Sequence, residues 1–302
     1  MTATRVAVLG SANMDLTTVT ERLPEPGQTV LGSSFDTSQG GKGANQAIAS
    51  ARSGAITTFL GAVGDDPFAD ELLQRLDEAG VDTRWTRRAS GPSGIAAITV
   101  DANGENTIVV VPGANSAVTD LSEDELAAIA EADLLLCQFE IPMSTVVSGA
   151  VHARANNTLV VLNPSPVQAV PDALLAAVDI LVVNESEAQA LGATVLATVP
   201  HVVTTLGASG AHYTGPHESV RVPAPQIDPI DTTGAGDAFT GALAAEWARG
   251  PKPALRWACA AGRWPPPGSA PVRPRAHARR SRPCSTPEQF IDHRGRDRRL
   301  RY

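Results

Sequence analysis

The chain has 302 residues, 43% hydrophobic but only 4% aromatic, and its net charge of −8 splits into 11 basic and 29 acidic side chains in residues 1–250 against 13 and 3 in residues 251–302. One sizeable core built from Ala, Val and Leu fits that length, whereas Cys137, Cys259, Cys284 and the six histidines lack the spacing of a disulfide framework or a zinc site. No apolar run approaches the roughly 20 residues that span a bilayer, and the first ten residues hold too short an apolar run for a secretion signal, so a soluble, cytoplasmic protein with no membrane partner is expected.

Six short apolar runs, residues 5–10, 56–61, 133–138, 158–162, 179–183 and 201–206, read as buried strands. Directly after the first stands Gly10-Ser11-Ala12-Asn13-Met14-Asp15. In open α/β sheets ligands bind beyond the carboxyl ends of strands, so Asn13 and Asp15 are placed to pair the hydroxyls of a polar ligand. Local turn hydrogen bonds are their alternative role. Residues 17–39, rich in Pro, Gly and Thr, break the alternation of strands and helices. A glycine-rich loop follows, Gln39-Gly40-Gly41-Lys42-Gly43-Ala44-Asn45, opening a helix over residues 44–52 that stops at Gly54. It is not a Walker A loop: Lys42 precedes Gly rather than Ser or Thr, and Asp36 occupies the first required glycine position. Gly41, Lys42 and Asn45 suit polar ligand contacts where a side-chain β-carbon would clash; a plain glycine-rich connection is the alternative.

Asp66 caps a helix whose first residue is Pro67, whose apolar face carries Phe68, Leu72, Leu73 and Leu76, and which Gly80 ends. Residues 94–111 hold two strand-like runs joined by Asp101-Ala102-Asn103-Gly104, a hairpin with Asn103-Gly104 suited to positive φ. Together with residues 14–39 this segment predicts a small β-sheet lid. Glu140, after the strand at 133–138, is a further ligand-contact candidate. Asn184-Glu185-Ser186-Glu187 follows another strand, with Glu187 a candidate for Mg²⁺, directly or through water, and Asn184 for phosphate. A helix N-cap with acids in its first turn accounts for the same residues.

The strongest local pattern is Asp231-Thr232-Thr233-Gly234-Ala235-Gly236-Asp237-Ala238-Phe239, leading into a helix through Leu243 and Trp247 that closes at Gly250-Pro251. Gly-Ala-Gly at a helix start offers bare amides and the positive end of the helix dipole to an anion. Asp237 in the first turn is then a candidate base for an attacking hydroxyl. The alternative is a turn followed by an N-terminal helix acid.

Read in order, G-S-x-N-x-D at 10–15, G-G-K-G-A-N at 40–45, N-P-S-P at 163–166, N-E-x-E at 184–187, T-L-G-x-x-G at 205–210 and D-T-x-x-A-G-D at 231–237 resemble the PfkB carbohydrate-kinase family, over about residues 5–262. The resemblance implies an α/β fold of three layers, α/β/α, with a mostly parallel central sheet and a β-sheet lid. It implies ATP-dependent phosphorylation of D-ribose at the 5-hydroxyl; another sugar or a nucleoside is the alternative acceptor. Asn13, Asp15, Gly41, Lys42, Asn45 and Glu140 would hold the sugar, and Asn184, Thr205, Gly207 and Gly210 the nucleotide. The amides of Gly234, Ala235 and Gly236 would form an anion hole beside the base Asp237. Glu187 would serve Mg²⁺, and Asp231 and Thr233 an activating K⁺. The resemblance also implies a homodimer joined through the lid sheets.

Two stretches depart from the family pattern. Residues 187–205 are shorter than usual, so a covering element on the nucleotide side should be reduced. From Arg263 onward the helical pattern gives way to Trp264-Pro265-Pro266-Pro267 and Arg-rich sequence, a tail expected to be poorly ordered. A one-base slip in a GC-rich gene would account for it: one set of codons for residues 262–271, read with one inserted base, encodes a string similar to the family continuation. A genuine tail would remove part of the K⁺ and nucleotide walls and leave a catalytically impaired sugar-binding protein. Lacking interleaved aromatics, the tail does not read as a nucleic-acid arm.

Overall fold

The computed structural model describes residues 2–225 and 234–262; Asp231, Thr233 and the tail from Arg263 lie outside the described residues. In chain order the first half comprises β1 (Arg5–Leu9), β2 (Asn13–Thr20), β3 (Gly32–Gly40), α1 (Lys42–Arg52), β4 (Ile56–Leu60), β5 (Ala62–Val63), α2 (Pro67–Glu78), β6 (Arg87–Arg88), β7 (Gly94–Val100), β8 (Asn106–Val111), α3 (Glu123–Ala130) and β9 (Leu134–Cys137). The second half comprises α4 (Met143–Ala155), β10 (Leu159–Leu162), α5 (Asp172–Leu175), β11 (Ile180–Asn184), α6 (Glu185–Thr198), β12 (His201–Thr205), β13 (Ala211–Thr214), β14 (Ser219–Val222), α7 (Ala235–Glu246) and α8 (Pro251–Ala261).

Eight strands form the central sheet in the order β14-β13-β12-β11-β10-β9-β1-β4. From β4 to β12 every pairing is parallel, and the hairpin β13–β14 closes one edge antiparallel. The two-residue strand period splits the apolar side chains between two cores. Val6, Val8, Leu134 and Leu136 pack with Ala47 and Ile48 of α1, Leu72 of α2, Leu243 of α7 and Leu255 of α8. Ala7, Leu9, Leu135 and Cys137 face the other way, onto Ile129 of α3, Val146 and Ala150 of α4 and Leu174 of α5. Three layers, α/β/α, result. The six expected strands all lie in this sheet, each within a residue or so of its expected bounds.

The lid is a four-stranded sheet in the order β3-β2-β7-β8, with β2 and β7 parallel and both outer pairs antiparallel. Its hairpin turn takes positive φ at Gly104 (85°) but not at Asn103, whose N–H instead donates to Asp101 Oδ1 at 2.8 Å, so the expected two-residue left-handed turn is replaced by an Asp-centred one. The helix ends follow the sequence. Asp66 Oδ1 accepts from the Ala69 N–H at 3.2 Å, Pro67 stands at the first position, and Gly80 adopts φ of 80° just past the end of α2. In the short stretch after Glu187, α6 has no fully buried residue and breaks at Gly192 (φ 81°, ψ 159°). No helix among the described residues is long and apolar enough to cross a membrane.

Candidate active site

Helix α7 starts at a left-handed residue, Gly234 (φ 72°), with no capping side chain, and its first returning bond runs from the Ala238 N–H to the Gly234 carbonyl at 2.8 Å. The amides of the first turn therefore lack a side-chain partner among the described residues, and Gly236 is exposed with no described atom within 4 Å of where a β-carbon would stand. Such an end offers N–H groups and a positive dipole to an anion. Helix α7 packs closely on α1, because Gly241 has no side chain: a β-carbon there would lie 2.2 Å from the Gln46 carbonyl oxygen. That approach brings Asp237 onto the first turn of α1.

Asp237 is 8% exposed. Its Oδ1 accepts from Gln46 Nε2 at 2.9 Å and its Oδ2 from Asn45 Nδ2 at 3.3 Å. Burial pushes the Asp237 carboxyl above the ordinary carboxylate range. The Lys42 charge and the two amide donors pull it back down, and Glu140 adds an upward push. A buried carboxylate whose hold on a proton is strengthened in this manner suits a general base.

A cavity lies under the lid, lined by Asn13, Val110, Pro112, Asn115, Phe139, Glu140, Ile141 and Pro166, so the lid strand β8 forms part of its wall. Asn13 and Asp15 are not in a turn but open β2, and Asn13 bonds to a remote partner, with Asn115 Nδ2 donating to its Oδ1 at 2.8 Å. Asp15 packs over Gly40, where a β-carbon would meet its Oδ2 at 2.3 Å. Burial first, then the charge of Glu140, pushes the Asp15 carboxyl up to about 6; Asp237 adds to this and Arg75 opposes it. Glu140 Oε2 accepts from the Ser11 hydroxyl and, at 3.0 Å, from the Lys42 N–H. Gly41 (φ 89°) makes this packing possible, since a β-carbon there would stand 2.7 Å from the Asn13 nitrogen. Gly41, Lys42, Glu140 and Asn13 are thus neighbours around the β1–β2 connection, with Asp15 packed over Gly40, while Asn45 bonds Asp237.

Asp237 itself lines a second cleft, together with Lys42, Asn163, Ser165, Asn184, Glu187, Thr205, Gly234, Gly236 and Thr240. It continues through Thr205 and Gly236 into an apolar recess walled by Gly207, Gly210, Ala224, Phe239, Cys259 and Gly262. Asn184 and Glu187 form a capping box at the start of α6: the Glu187 N–H donates to Asn184 Oδ1, and the Asn184 N–H to Glu187 Oε2, both at 2.8 Å. The N-cap role is therefore what their hydrogen bonds show, while both still face the cleft. Glu187 and Asp237 are the two carboxylates that line this cleft, and no group of three His, Cys, Asp or Glu side chains that could hold a metal gathers among the described residues. That donor set fits Mg²⁺, which keeps most of its waters and takes one or two carboxylates with phosphate oxygens.

Sequence patterns missed Ser11, Gln46 and Asn115, and passed over Asn163 within its own motif. Gln46, completely buried, donates both to Asp237 and, at 3.1 Å, to Asn163 Oδ1. The available clue was two amides in succession, Asn45-Gln46, straight after a glycine-rich helix start.

The pattern of the pfkB family carbohydrate kinases matches residues 3–264. The chain is 38% identical over 259 residues to a ribokinase of Staphylococcus aureus, covering 79% of this chain and 84% of that one. It is 37% identical over 262 residues to a ribokinase of Bacillus subtilis, covering 84% and 89%. The solved structure of an Arabidopsis thaliana ribokinase complexed with ribose and ATP superimposes with a TM-score of 0.78 at 31% identity, over 87% of this chain and 92% of that one.

Proposed function

The chain belongs to the pfkB family of carbohydrate kinases, and on that footing we propose that it moves the γ-phosphoryl group of ATP onto the 5-hydroxyl of D-ribose, giving ribose 5-phosphate and ADP. The observation that carries this reading is the position of Asp237, buried at the start of α7 in the wall of the cleft that leads to the apolar recess, and bonded to Asn45 and Gln46 of the glycine-rich helix start.

In this reading the sugar lies under the lid, with Asn13, Lys42 and Asn45 donating to its oxygens and Asp15 and Glu140 accepting from its hydroxyls. Asp237 takes the proton of the 5-hydroxyl as that oxygen attacks the γ-phosphorus, and the bond to the β-phosphate oxygen breaks. The amides of Gly234, Ala235 and Gly236 hold the charge that spreads over the transferring oxygens. Thr205, Gly207 and Gly210 with the apolar recess take the nucleoside end of ATP, and Asn184 faces its phosphates. Mg²⁺, held through Glu187, supplies charge neutralisation to those phosphates. Asp231 and Thr233 are assigned to K⁺.

The lid also supports the homodimer. Strand β8 stands at the edge of its sheet, with Ile108, Val109, Val110 and Val111 between 45% and 64% exposed, an apolar edge that a second copy would cover. ADP release in K⁺ and Mg²⁺ buffer, compared among ribose, 2-deoxyribose, fructose and a nucleoside, tests the acceptor. Ribose is expected to give the highest kcat/KM. Calorimetric ribose binding with no ADP release would instead mark a sugar-binding protein without turnover.

A further inference from the structure

We propose that Gln46 is a positioning residue for the base: an amide whose orientation is dictated from the central sheet and which fixes Asp237 by Oδ1, leaving Oδ2 to take the proton. The inference rests on the reading of Asp237 as the base.

The orientation of a buried amide is ordinarily ambiguous, because its oxygen and nitrogen scatter alike. Here a main-chain group removes the ambiguity. Asn163 Nδ2 donates at 3.0 Å to the Val182 carbonyl, which can only accept, so Asn163 Oδ1 must face Gln46. Only an N–H can meet that oxygen, which sets Gln46 Nε2 3.1 Å from Asn163 Oδ1 and 2.9 Å from Asp237 Oδ1. Gln46 Oε1 is then turned to Gln138 Nε2, 2.6 Å away. Gln46 and Gln138 are both wholly buried, so neither has water as an alternative partner. Asn163 follows β10, Gln138 follows β9 and Val182 lies in β11, so three adjacent parallel strands hold one amide from beneath. Rotating Gln46 would set its oxygen against two acceptors, Asn163 Oδ1 and Asp237 Oδ1, a costly arrangement without water.

The chemical consequence is asymmetric. Oδ1 of Asp237 is bound at 2.9 Å by a fixed donor, and Oδ2 only at 3.3 Å by Asn45. A donor that cannot turn stabilises the charged carboxylate, against burial and against the negative charges of Glu140 and Asp15, and alongside Lys42. Removing it should leave more of Asp237 protonated at a given pH and free the carboxylate to rotate.

Gln46→Met keeps the length of the side chain and deletes the N–H. With saturating ATP, Mg²⁺ and ribose, its kcat should fall on the order of 10-fold to 100-fold at neutral pH, with the acid limb of the pH profile moved to higher pH. Ribose affinity by calorimetry should change by less than about threefold, since Gln46 does not line the sugar cavity. A uniform fall with an unmoved acid limb, or an unchanged kcat, overturns the proposal. Should Gln46→Met melt below the assay temperature, Gln138→Met is read in its place: it removes the donor to Gln46 Oε1 without touching Asp237, and a shift of the limb in the same direction is expected. Asp237→Asn run in parallel separates the two readings. Normal turnover in that variant removes the base itself, whereas a dead Asp237→Asn beside a Gln46→Met with an unmoved limb removes only the role of Gln46.

Discussion

Asn115 Nδ2 lies 2.8 Å from Asn13 Oδ1, and this contact decides which end of Asn13 faces the sugar cavity. The Ala12 N–H donates to Asn115 Oδ1 at 3.0 Å, and Asn115 Nδ2 also reaches the Ala12 carbonyl at 3.2 Å. With its oxygen engaged, Asn13 has only its N–H₂ group to offer a ligand. Asn115→Asp would set a carboxylate oxygen against Asn13 Oδ1, so Asn13 should rotate and present an acceptor where the sugar needs a donor. The expected result is a rise of about tenfold or more in the KM for ribose, with a smaller change in kcat, measured by ADP release. An unchanged KM would show that Asn13 is not oriented from this side.

The Asp15 carboxyl, pushed up to about 6, makes stability depend on pH. Between its unfolded value near 3.9 and its folded value, the folded chain holds more protons than the unfolded chain. Stability therefore falls as pH rises through that window and levels off above it, where Asp15 stays charged at a cost to the fold. Asp15→Asn should remove this loss: at about pH 8 its Tm should exceed that of the parent, while its ribose binding is largely lost. Calorimetric melts of both proteins from about pH 4 to pH 8 check the sign. A parent Tm that climbs over the same range through Asp15 would contradict the burial of this group.

Two glycines in left-handed conformation separate strain from crowding. At Gly41 (φ 89°) a β-carbon would meet main-chain atoms of Asn13, Ala12 and Ser11 at 2.7 to 2.9 Å, whereas at Gly54 (φ 92°) nothing lies within 4 Å. Gly54→Ala should lose only the left-handed penalty, about 1–2 kcal/mol in urea denaturation. Gly41→Ala should lose more than that, and its ribose affinity should fall as well, because the displaced atoms carry Asn13. Equal losses in the two variants would mean that the β1–β2 connection yields easily.

The parallel strands are legible in the sequence because strands buried on both faces read as unbroken apolar runs, as in Leu134–Cys137 and the first four residues of Ile180–Asn184. Hairpin β13–β14 is not legible, since His212, Ser219 and Arg221 on a half-exposed edge interrupt any such run. The site is legible wherever the backbone itself must be special: Gly41 against Asn13, Gly234 at the start of α7. It is not legible at Gln46 and Asn115, whose polar side chains look solvated in one dimension. Gln46 becomes buried only because Gly241 lets α7 close on α1, and Asn115 only because the lid strands meet the body beside Ala12. Both are long-range consequences of packing, which a local pattern does not carry.

Asp237→Asn preserves shape and removes the charge. Gln46 is held with its N–H toward Oδ1 and Asn45 donates to Oδ2, so the new amide can satisfy one donor and must oppose the other. Burial already disfavours the charge on Asp237, so the lost hydrogen bond is partly offset by relief from desolvation, and the protein should stay folded. Asp237 meets the sugar through the one reacting hydroxyl, so ribose binding measured by calorimetry should remain within a few-fold. The kcat should fall on the order of 10²-fold to 10⁴-fold, because the variant removes the carboxylate that takes the hydroxyl proton. Near-normal turnover in this variant would return Asp237 to the role of a helix N-terminal acid and move the search for the base to Asp15.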